Sequence, residues 1–164
     1  MIDGKKLAVC SLLFLAGSLA LAQEKVQHIQ QPDRPIATGV WAGDTLYLSG
    51  QMASPVTPGD RAKGIAPVYG DTEEQTMSAL TKIQGLLKEQ GLTMGDIVLM
   101  HVYMAGDPAK DGKLDFAGMM KSYEKFFGTP DQPNKPARCA MQVAHLAAPW
   151  GLVEIEVVAV RSSK

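Results

Sequence analysis

Hydrophobic and polar residues alternate most regularly near the C-terminus, where two stretches have the two-residue period of β-strands. The stretches are residues 136–143 and 152–160, and a loop interrupted by a proline and a glycine joins them. Side chains two residues apart share one face of a strand, so Glu154 and Glu156 point away from the apolar residues that alternate with them. We therefore expect two strands that are joined in sequence and lie side by side in a sheet.

The first of these strands carries an arginine among small and apolar residues. Arg138 and Ala140 share one face, and Cys139 lies on the other with Met141. An arginine and a carboxylate, that of Glu154, thus project from neighbouring strands that are otherwise typical of a core. An ion pair on a solvated sheet face would give the same pattern and would contribute little stability. The alternation alone leaves both a binding site and a surface ion pair open.

Two upstream segments have the three-to-four-residue spacing of helices. The first begins after Asp71, a residue type that favours the N-cap, and Gly91 closes it. The second is predicted over residues 114–127, just before a glycine. Each collects its apolar residues on one stripe, as expected for helices that pack against a sheet. The stripes are Met77, Leu80, Ile83 and Leu87 in the first helix and Phe116, Tyr123 and Phe127 in the second.

Further apolar runs predict the remaining strands. Residues 36–41, 45–49 and 97–104 have strand character, and the near-continuous hydrophobicity of the last run indicates that both of its faces are covered. Gly50 follows the second run, either as a simple strand end or where a ligand approaches closely. The element order β-β-α-β-α-β-β predicts an α+β fold in which two helices cover one face of a mixed sheet.

The first 22 residues have the organisation of a secretory signal peptide. Two lysines precede an apolar run over residues 7–21, and Ala20-Leu-Ala22 supplies the small residues that signal peptidase requires. We expect cleavage after Ala22, export to the periplasm or the medium, and no stable membrane anchor. An uncleaved anchor is the alternative, although the run is shorter than the ~20 residues of a spanning helix. Residues 23–33 then form a flexible polar arm, and residues 34–164 form one folded domain.

Composition narrows the function classes. The 164 residues are 46% hydrophobic and 20% charged, the net charge is −1, and no basic run is present, which argues against nucleic acid as a partner. The three histidines are scattered, so no metal site is expected, and His101 is interpreted as structural. Cleavage of the signal peptide leaves Cys139 as the single cysteine, which we expect to be a buried and inert thiol.

Several of these stretches resemble the motifs of a known family. Pro136-Ala-Arg138 followed by a strand, the run Val153–Val160, and the strand end Leu48-Ser-Gly-Gln-Met52 resemble motifs of the Rid/YjgF family, the reactive-intermediate (enamine/imine) deaminases. Residues 92–98 and 122–127 fall where the family has similar stretches. Besides the residue identities, the order of these segments along the chain and the spacing between them match the family.

The resemblance implies a fold, an assembly and a reaction. Family members have the chorismate-mutase-like fold and form trimers with clefts between subunits. Their reaction is the hydrolytic deamination of reactive 2-imino or enamine acids to 2-keto acids and ammonia, with no cofactor and no metal. The expected partners are therefore a small-molecule carboxylate substrate and further copies of the same chain in a homotrimer.

The resemblance also assigns roles to individual residues. The matching arginine, Arg138, would hold the substrate carboxylate, because a planar guanidinium offers paired hydrogen bonds that a lysine lacks. The matching glutamate, Glu154, would position and polarise the attacking water. Ala140 stands where the family usually has a cysteine whose role runs through the backbone, and Gly50 belongs to the Ser-Gly-Gln motif.

Two pocket-shaping positions depart from the family pattern. Residues 36–41 lack the family's tyrosine, and Met120 stands in place of an asparagine. Two other functions therefore stay open beside catalysis. One is a non-catalytic protein that binds a small carboxylate metabolite between subunits. The other is a protein-interaction or chaperone-like role, for which the nine methionines give weak support.

Overall fold

The computed structural model describes residues 25–162. Within them lie six strands and two α-helices: β1 (Val26–Ile29), β2 (Gly39–Ala42), β3 (Thr45–Met52), α1 (Thr72–Glu89), β4 (Ile97–Met104), α2 (Phe116–Tyr123), β5 (Ala137–Gln142) and β6 (Val153–Val160). Neither of these described helices has the length and apolarity that a bilayer crossing requires. The predicted signal peptide, residues 1–22, lies outside the described residues and stays a prediction.

The N-terminal segment contains a strand that the hydrophobic pattern did not reveal. The sequence predicts a flexible arm over residues 23–33, but Val26–Ile29 pairs antiparallel with β2 as the edge strand β1. Only Ile29 among the four side chains is even partly buried. Backbone hydrogen bonds rather than burial therefore hold β1, and alternation is a weak guide to such a strand.

The six strands form one mixed sheet in the order β1-β2-β3-β6-β4-β5. β4 and β5 run parallel, and the other neighbouring pairs are antiparallel. The predicted α+β class is confirmed, but the two C-terminal strands are not neighbours, because β4 lies between β5 and β6. Alternation decides the face that a residue occupies, whereas strand order depends on pairing between distant segments.

The helices pack on one face of the sheet, and the core lies between the helices and the sheet. β6 contributes Val153, Ile155, Val157 and Ala159, none more than 2% exposed. From α1 come Leu80, Ile83 and Leu87, all fully buried. Complete burial of one such valine, leucine or isoleucine contributes about 1.5–3 kcal/mol. The predicted arrangement of two helices on one face of a mixed sheet is thus the one observed.

The opposite face of the sheet, which we call the outer face, is open in the described chain. Leu99, His101 and Tyr103 of β4 are only partly buried there, so the expectation that both faces of β4 are covered is not met within one chain. Tyr47 and Met141 also belong to this face and are 52% and 40% exposed. One protomer therefore presents an apolar and polar mixture on this side of the sheet.

Helix α1 begins and ends where the sequence predicts. Asp71 accepts a hydrogen bond from the backbone N–H of Glu74 at 2.9 Å, and the Glu74 carboxylate accepts one from the backbone N–H of Asp71 at 3.0 Å. This reciprocal capping box satisfies two N–H groups at the helix start. At the other end Gln90 is the C-cap and Gly91 follows with a φ of 73°, a left-handed conformation that favours glycine.

Helix α2 is shorter than predicted. Asp115 caps its N-terminus by accepting from the backbone N–H of Gly118 at 3.0 Å, but the helix ends at Tyr123 instead of Phe127. The next backbone N–H groups, of Lys125 and Phe126, bond three residues back and wind the chain more tightly. Phe127 still lies in the core at 3% exposed, so the apolar stripe continues beyond the helix.

Gly85 offers a test of how α1 is stabilised. It lies inside the helix, and a Cβ built on it would meet no atom within 4 Å. Gly85→Ala should therefore raise the free energy of unfolding by about 0.5–1 kcal/mol, because alanine loses less backbone entropy. Gly91→Ala is the matched control: it also has open space, but its φ of 73° should make the substitution destabilising. Urea unfolding of both variants measures the difference, and an equal change in both would contradict the backbone argument.

Candidate functional site

A cleft of about 600 Å³ opens beside the end of β3, between that strand, the segment before β2 and one side of α1. Two of the residues singled out from the sequence, Gly50 and Glu154, line it. With Glu154 included, four charged side chains line the cleft, two cations and two carboxylates: Arg34, Lys82, Glu89 and Glu154. The cleft therefore combines a candidate water-positioning carboxylate with groups that bind anions.

An irregularity in β3 places Gly50 against the Glu154 carboxylate. Leu48 pairs with Val157 and Gln51 with Ile155, so the two residues between them oppose one residue of β6 and form a β-bulge. A Cβ at Gly50 would overlap the Oε1 atom of Glu154. Gly50 thus lies where a larger residue would displace that carboxylate.

Lys82 lies at the same end of the cleft as Glu154. Its Nζ atom donates a hydrogen bond to the carbonyl oxygen of Met52 at 2.8 Å, and Met52 is the ladder partner of Glu154. Burial lowers the pKa of Lys82, and the nearby charge of Arg34 lowers it further. The ammonium is therefore bonded to the strand that pairs with β6 at Glu154, and it is partly removed from water.

Sequence reasoning missed both cations. Lys82, Gly85, Leu86 and Glu89 occupy the positions i, i+3, i+4 and i+7 of a helix, so one side of α1 faces the cleft. That spacing was visible, but a lysine beside an apolar helix stripe is ordinarily a solvated residue. Only the position of the β3 end relative to α1 shows that this side of the helix borders a cavity.

The loop before β6 closes one wall of the cleft. Trp150 lines the cleft and stacks on Tyr69, with ring centroids 3.5 Å apart and planes within 3°. The buried amide of Gln75 donates to the carbonyl oxygens of Gly70 and Trp150, at 3.1 and 3.2 Å, and accepts from the N–H of Leu152 at 2.8 Å. These bonds tie the chain just upstream of Glu154 to α1 and make this wall rigid.

Arg138 lies on the other side of the sheet, under α2. Its Nη1 atom is 3.2 Å from the Sδ of Met120, and its guanidinium carbon is 4.3 Å from the centroid of the Tyr123 ring and 5.7 Å from that of Phe116. A guanidinium over an aromatic face is attracted to the ring electrons. Burial raises the pKa of Tyr123, and the charge of Arg138 opposes that rise. The salt bridges formed within residues 25–162 do not include Arg138.

One chain therefore does not bring the four candidate residues together. Arg138 pairs with the buried Met100, and Ala140, on the same face, packs partly buried against the core. Glu154 pairs with Tyr103 on the outer face, next to Gly50. The prediction that the arginine and the carboxylate project from adjacent strands is wrong, and so is the surface ion pair between them. β4 separates the strands, and the pleat turns the two side chains to opposite faces.

A second polar cluster occupies the middle of the outer face. The Nδ1 atom of His101 is 2.7 Å from the Oε1 atom of Glu156, and the hydroxyl of Tyr103 donates to the same oxygen at 3.0 Å. This bond to a carboxylate raises the pKa of Tyr103. The expectation of a buried Cys139 is wrong: its thiol is exposed, because β5 is the edge strand and the described chain does not cover its outer face.

Residues 25–162 include no group of three or more histidine, cysteine, aspartate or glutamate side chains placed to hold a metal ion. The side chains that line the cleft include two carboxylates, two cations and the aromatic ring of Trp150.

Comparison with known proteins finds relatives along most of the chain. A family model described as endoribonuclease L-PSP matches residues 27–161. A RutC family protein of Haemophilus influenzae is 37% identical over 127 residues, which are 77% of this chain and 87% of the relative. TdcF of Escherichia coli, whose name assigns it provisionally to the reactive intermediate deaminases, is 33% identical over 129 residues, or 79% of this chain and 88% of TdcF.

Solved structures agree with the fold. The crystal structure of E. coli TdcF with bound serine superimposes with a TM-score of 0.61 at 29% identity, covering 85% of this chain and 98% of TdcF. A YjgF family protein from Neisseria meningitidis gives a TM-score of 0.63 at 22% identity, covering 87% of this chain and 99% of that protein. The family model and these relatives together show that the chain belongs to the Rid/YjgF family, whose model carries the description endoribonuclease L-PSP.

Proposed function

We propose that the protein hydrolyses reactive 2-imino or enamine acids to 2-keto acids and ammonia. The observation that carries the proposal is the Glu154 carboxylate, which lines a 600 Å³ cleft and lies against the glycine bulge of β3. The provisional naming of TdcF as a reactive intermediate deaminase supports the same reaction class. In the proposed reaction, Glu154 holds one water molecule against the substrate.

The reaction needs only proton transfers and one carbon–nitrogen bond cleavage. Glu154 accepts a proton from the water as the water oxygen bonds to C2 of the protonated imine. The resulting carbinolamine collapses when its nitrogen takes up a proton, the C2–N bond breaks, and ammonia leaves. The remaining hydroxyl proton is released as the C2 carbonyl forms. No electron acceptor enters this sequence, so the residues of the cleft suffice.

The α-carboxylate of the substrate is held by Arg138 of a second protomer. Within one chain Arg138 and Glu154 lie on opposite faces of the sheet, so a shared site requires two copies. Arg138 stands on the edge strand, where a neighbouring chain has access to it. The exposed Tyr47 and Met141 on the outer face favour burial against such a neighbour, as in a homotrimer.

Variants of the two charged residues test these roles. Arg138→Lys should reduce kcat/KM sharply, since one ammonium does not reproduce the paired bonds of a guanidinium. Loss of two charged hydrogen bonds in Arg138→Ala costs about 3–6 kcal/mol, or roughly two to four decades. Glu154→Gln keeps the side-chain shape and should retain carboxylate binding while turnover falls. Stopped assays of ammonia release, with ligand titration and melting temperature alongside, separate the effects.

Two results would redirect this interpretation. Unchanged deamination by Arg138→Ala would remove Arg138 from the site. Carboxylate binding by the native protein without any ammonia release above buffer would instead favour the non-catalytic binding protein.

Mixed oligomers test whether the site spans two chains. Arg138→Ala and Glu154→Gln proteins, each inactive, should regain part of the activity when they are unfolded together and refolded, because some interfaces then pair an intact Arg138 with an intact Glu154. For randomly mixed chains about a quarter of the sites regain both groups, because each of the two chains at a heterologous interface is the required variant half of the time. Refolding each variant alone is the control. No recovery in a mixture shown by light scattering to form oligomers would contradict a site that Arg138 and Glu154 of two chains share.

Export is the remaining part of the proposal. A lysine pair, an apolar run and Ala20-Leu-Ala22 support cleavage after Ala22. Protein recovered from the periplasm or the medium should then begin at Gln23, either free or cyclised, as read from its intact mass and its N-terminal peptide. A purely cytosolic pool that retains Met1 would contradict export.

A further inference from the structure

Two positively charged side chains line the cleft beside Glu154, and the proposed deamination does not use them. That reaction takes the α-carboxylate to Arg138 and the water to Glu154, which leaves Lys82 and Arg34 without a role. Both line the cleft, and Lys82 lies at the Glu154 end. We propose that Lys82, assisted by Arg34, binds a second carboxylate of the substrate. The preferred substrates are then 2-imino dicarboxylic acids. This proposal rests on the proposed function.

The environment of Lys82 is that of an anion-binding group. An ammonium has three N–H donors, and the carbonyl oxygen of Met52 takes one of them at 2.8 Å. The salt bridges within residues 25–162 include no carboxylate paired with Lys82. Two donors of a fixed and partly desolvated cation are therefore free of carboxylates in the described chain. A bound anion would favour the charged form and offset the effect of burial and of Arg34 on the pKa of Lys82.

Lys82 is linked to Glu154 through Met52. Lys82 binds the carbonyl of Met52, and Met52 is the ladder partner of Glu154. Both side chains also line the same cleft. A dicarboxylate of four or five carbons carries its second carboxylate two or three bonds from the reacting carbon. The proposal places that carboxylate at Lys82 and the imine carbon beside the water held by Glu154.

The second carboxylate of the cleft lies away from this end. Glu89 follows Lys82 by seven residues on α1, which places it about 10 Å further along the helix axis. Gly85, between them, leaves open space toward the cleft. Lys82, which is bonded to the ladder partner of Glu154, is thus separated from Glu89 along the cleft. An anionic side chain is attracted to the Lys82 end.

The test compares two imines that differ in charge but hardly in shape. An amino-acid oxidase generates the imine of glutamate or of glutamine in the assay, and loss of imine that semicarbazide can trap measures turnover. The native protein should prefer the glutamate imine in kcat/KM. Lys82→Met should lower the acid-to-amide ratio by about 10- to 100-fold, the range for one or two charged hydrogen bonds. Lys82→Arg should restore part of the ratio, and Arg34→Met should lower it less.

The matched control is Lys88→Met, which removes a charge from the exposed side of the same helix. Its acid-to-amide ratio should equal that of the native protein. Unchanged kcat/KM values on both imines in Lys82→Met, or an equal loss on both, would overturn the proposal. The first result would show that Lys82 does not contact the substrate. The second would place Lys82 at the reacting centre or at the α-carboxylate.

A binding measurement separates failure of this proposal from failure of the proposed function. Calorimetric titration compares 2-oxoglutarate with 2-oxobutyrate, which lacks the second carboxylate, and requires no turnover. Tighter binding of 2-oxoglutarate that Lys82→Met abolishes would support the anion subsite even if no imine is hydrolysed. Equal binding of both keto acids by the native protein would refute the subsite, whatever the deaminase activity proves to be.

Discussion

The alternation of β6 is the constraint on which the core and the cleft both depend. β6 lies between β3 and β4 and turns Val153, Ile155 and Val157 into the core. The same alternation turns Glu154 outward to Gly50. A shift in register by one residue would place a carboxylate in the core and expose the valines. Because each buried apolar side chain contributes about 1.5–3 kcal/mol, the position of Glu154 is set by residues that take no part in chemistry.

The same geometry divides the candidate site between two faces of one sheet. Arg138 obeys the alternation of β5, and its partner Met100 is fully buried on the helix side. Its guanidinium is held over Tyr123 and against Met120. It is therefore already positioned and partly desolvated before any ligand arrives, which lowers the entropic cost of binding. The roles proposed for Arg138 and Glu154 therefore require a second chain, because the two side chains lie on opposite faces of the sheet.

Features that depend on residues close together in the sequence could be predicted, and features that depend on pairing between distant segments could not. Helix α1 was predicted at both ends, because the Asp71 cap and the Gly91 left-handed turn are local features. The faces of β5 and β6 were also predictable, since alternation acts over two residues. The separation of these strands by β4 was not, because it depends on pairing across 30 or more residues of chain. The exposure of Cys139 was missed for the same reason: an edge position is a property of the sheet.

The cleft shows how the arrangement of distant elements decides which charged residues border a binding site. Lys82 and Arg34 are ordinary cations in the sequence, and together with Glu89 and Glu154 they leave the lining of the cleft with no net formal charge. An anionic substrate that enters such a cleft in a lone protomer gains little overall attraction. A second chain's Arg138 would add the missing positive charge at the α-carboxylate. Under the proposed function, the charge balance of the cleft and the geometry of the sheet lead to the same expectation. Affinity for the α-carboxylate should appear only when the chains assemble.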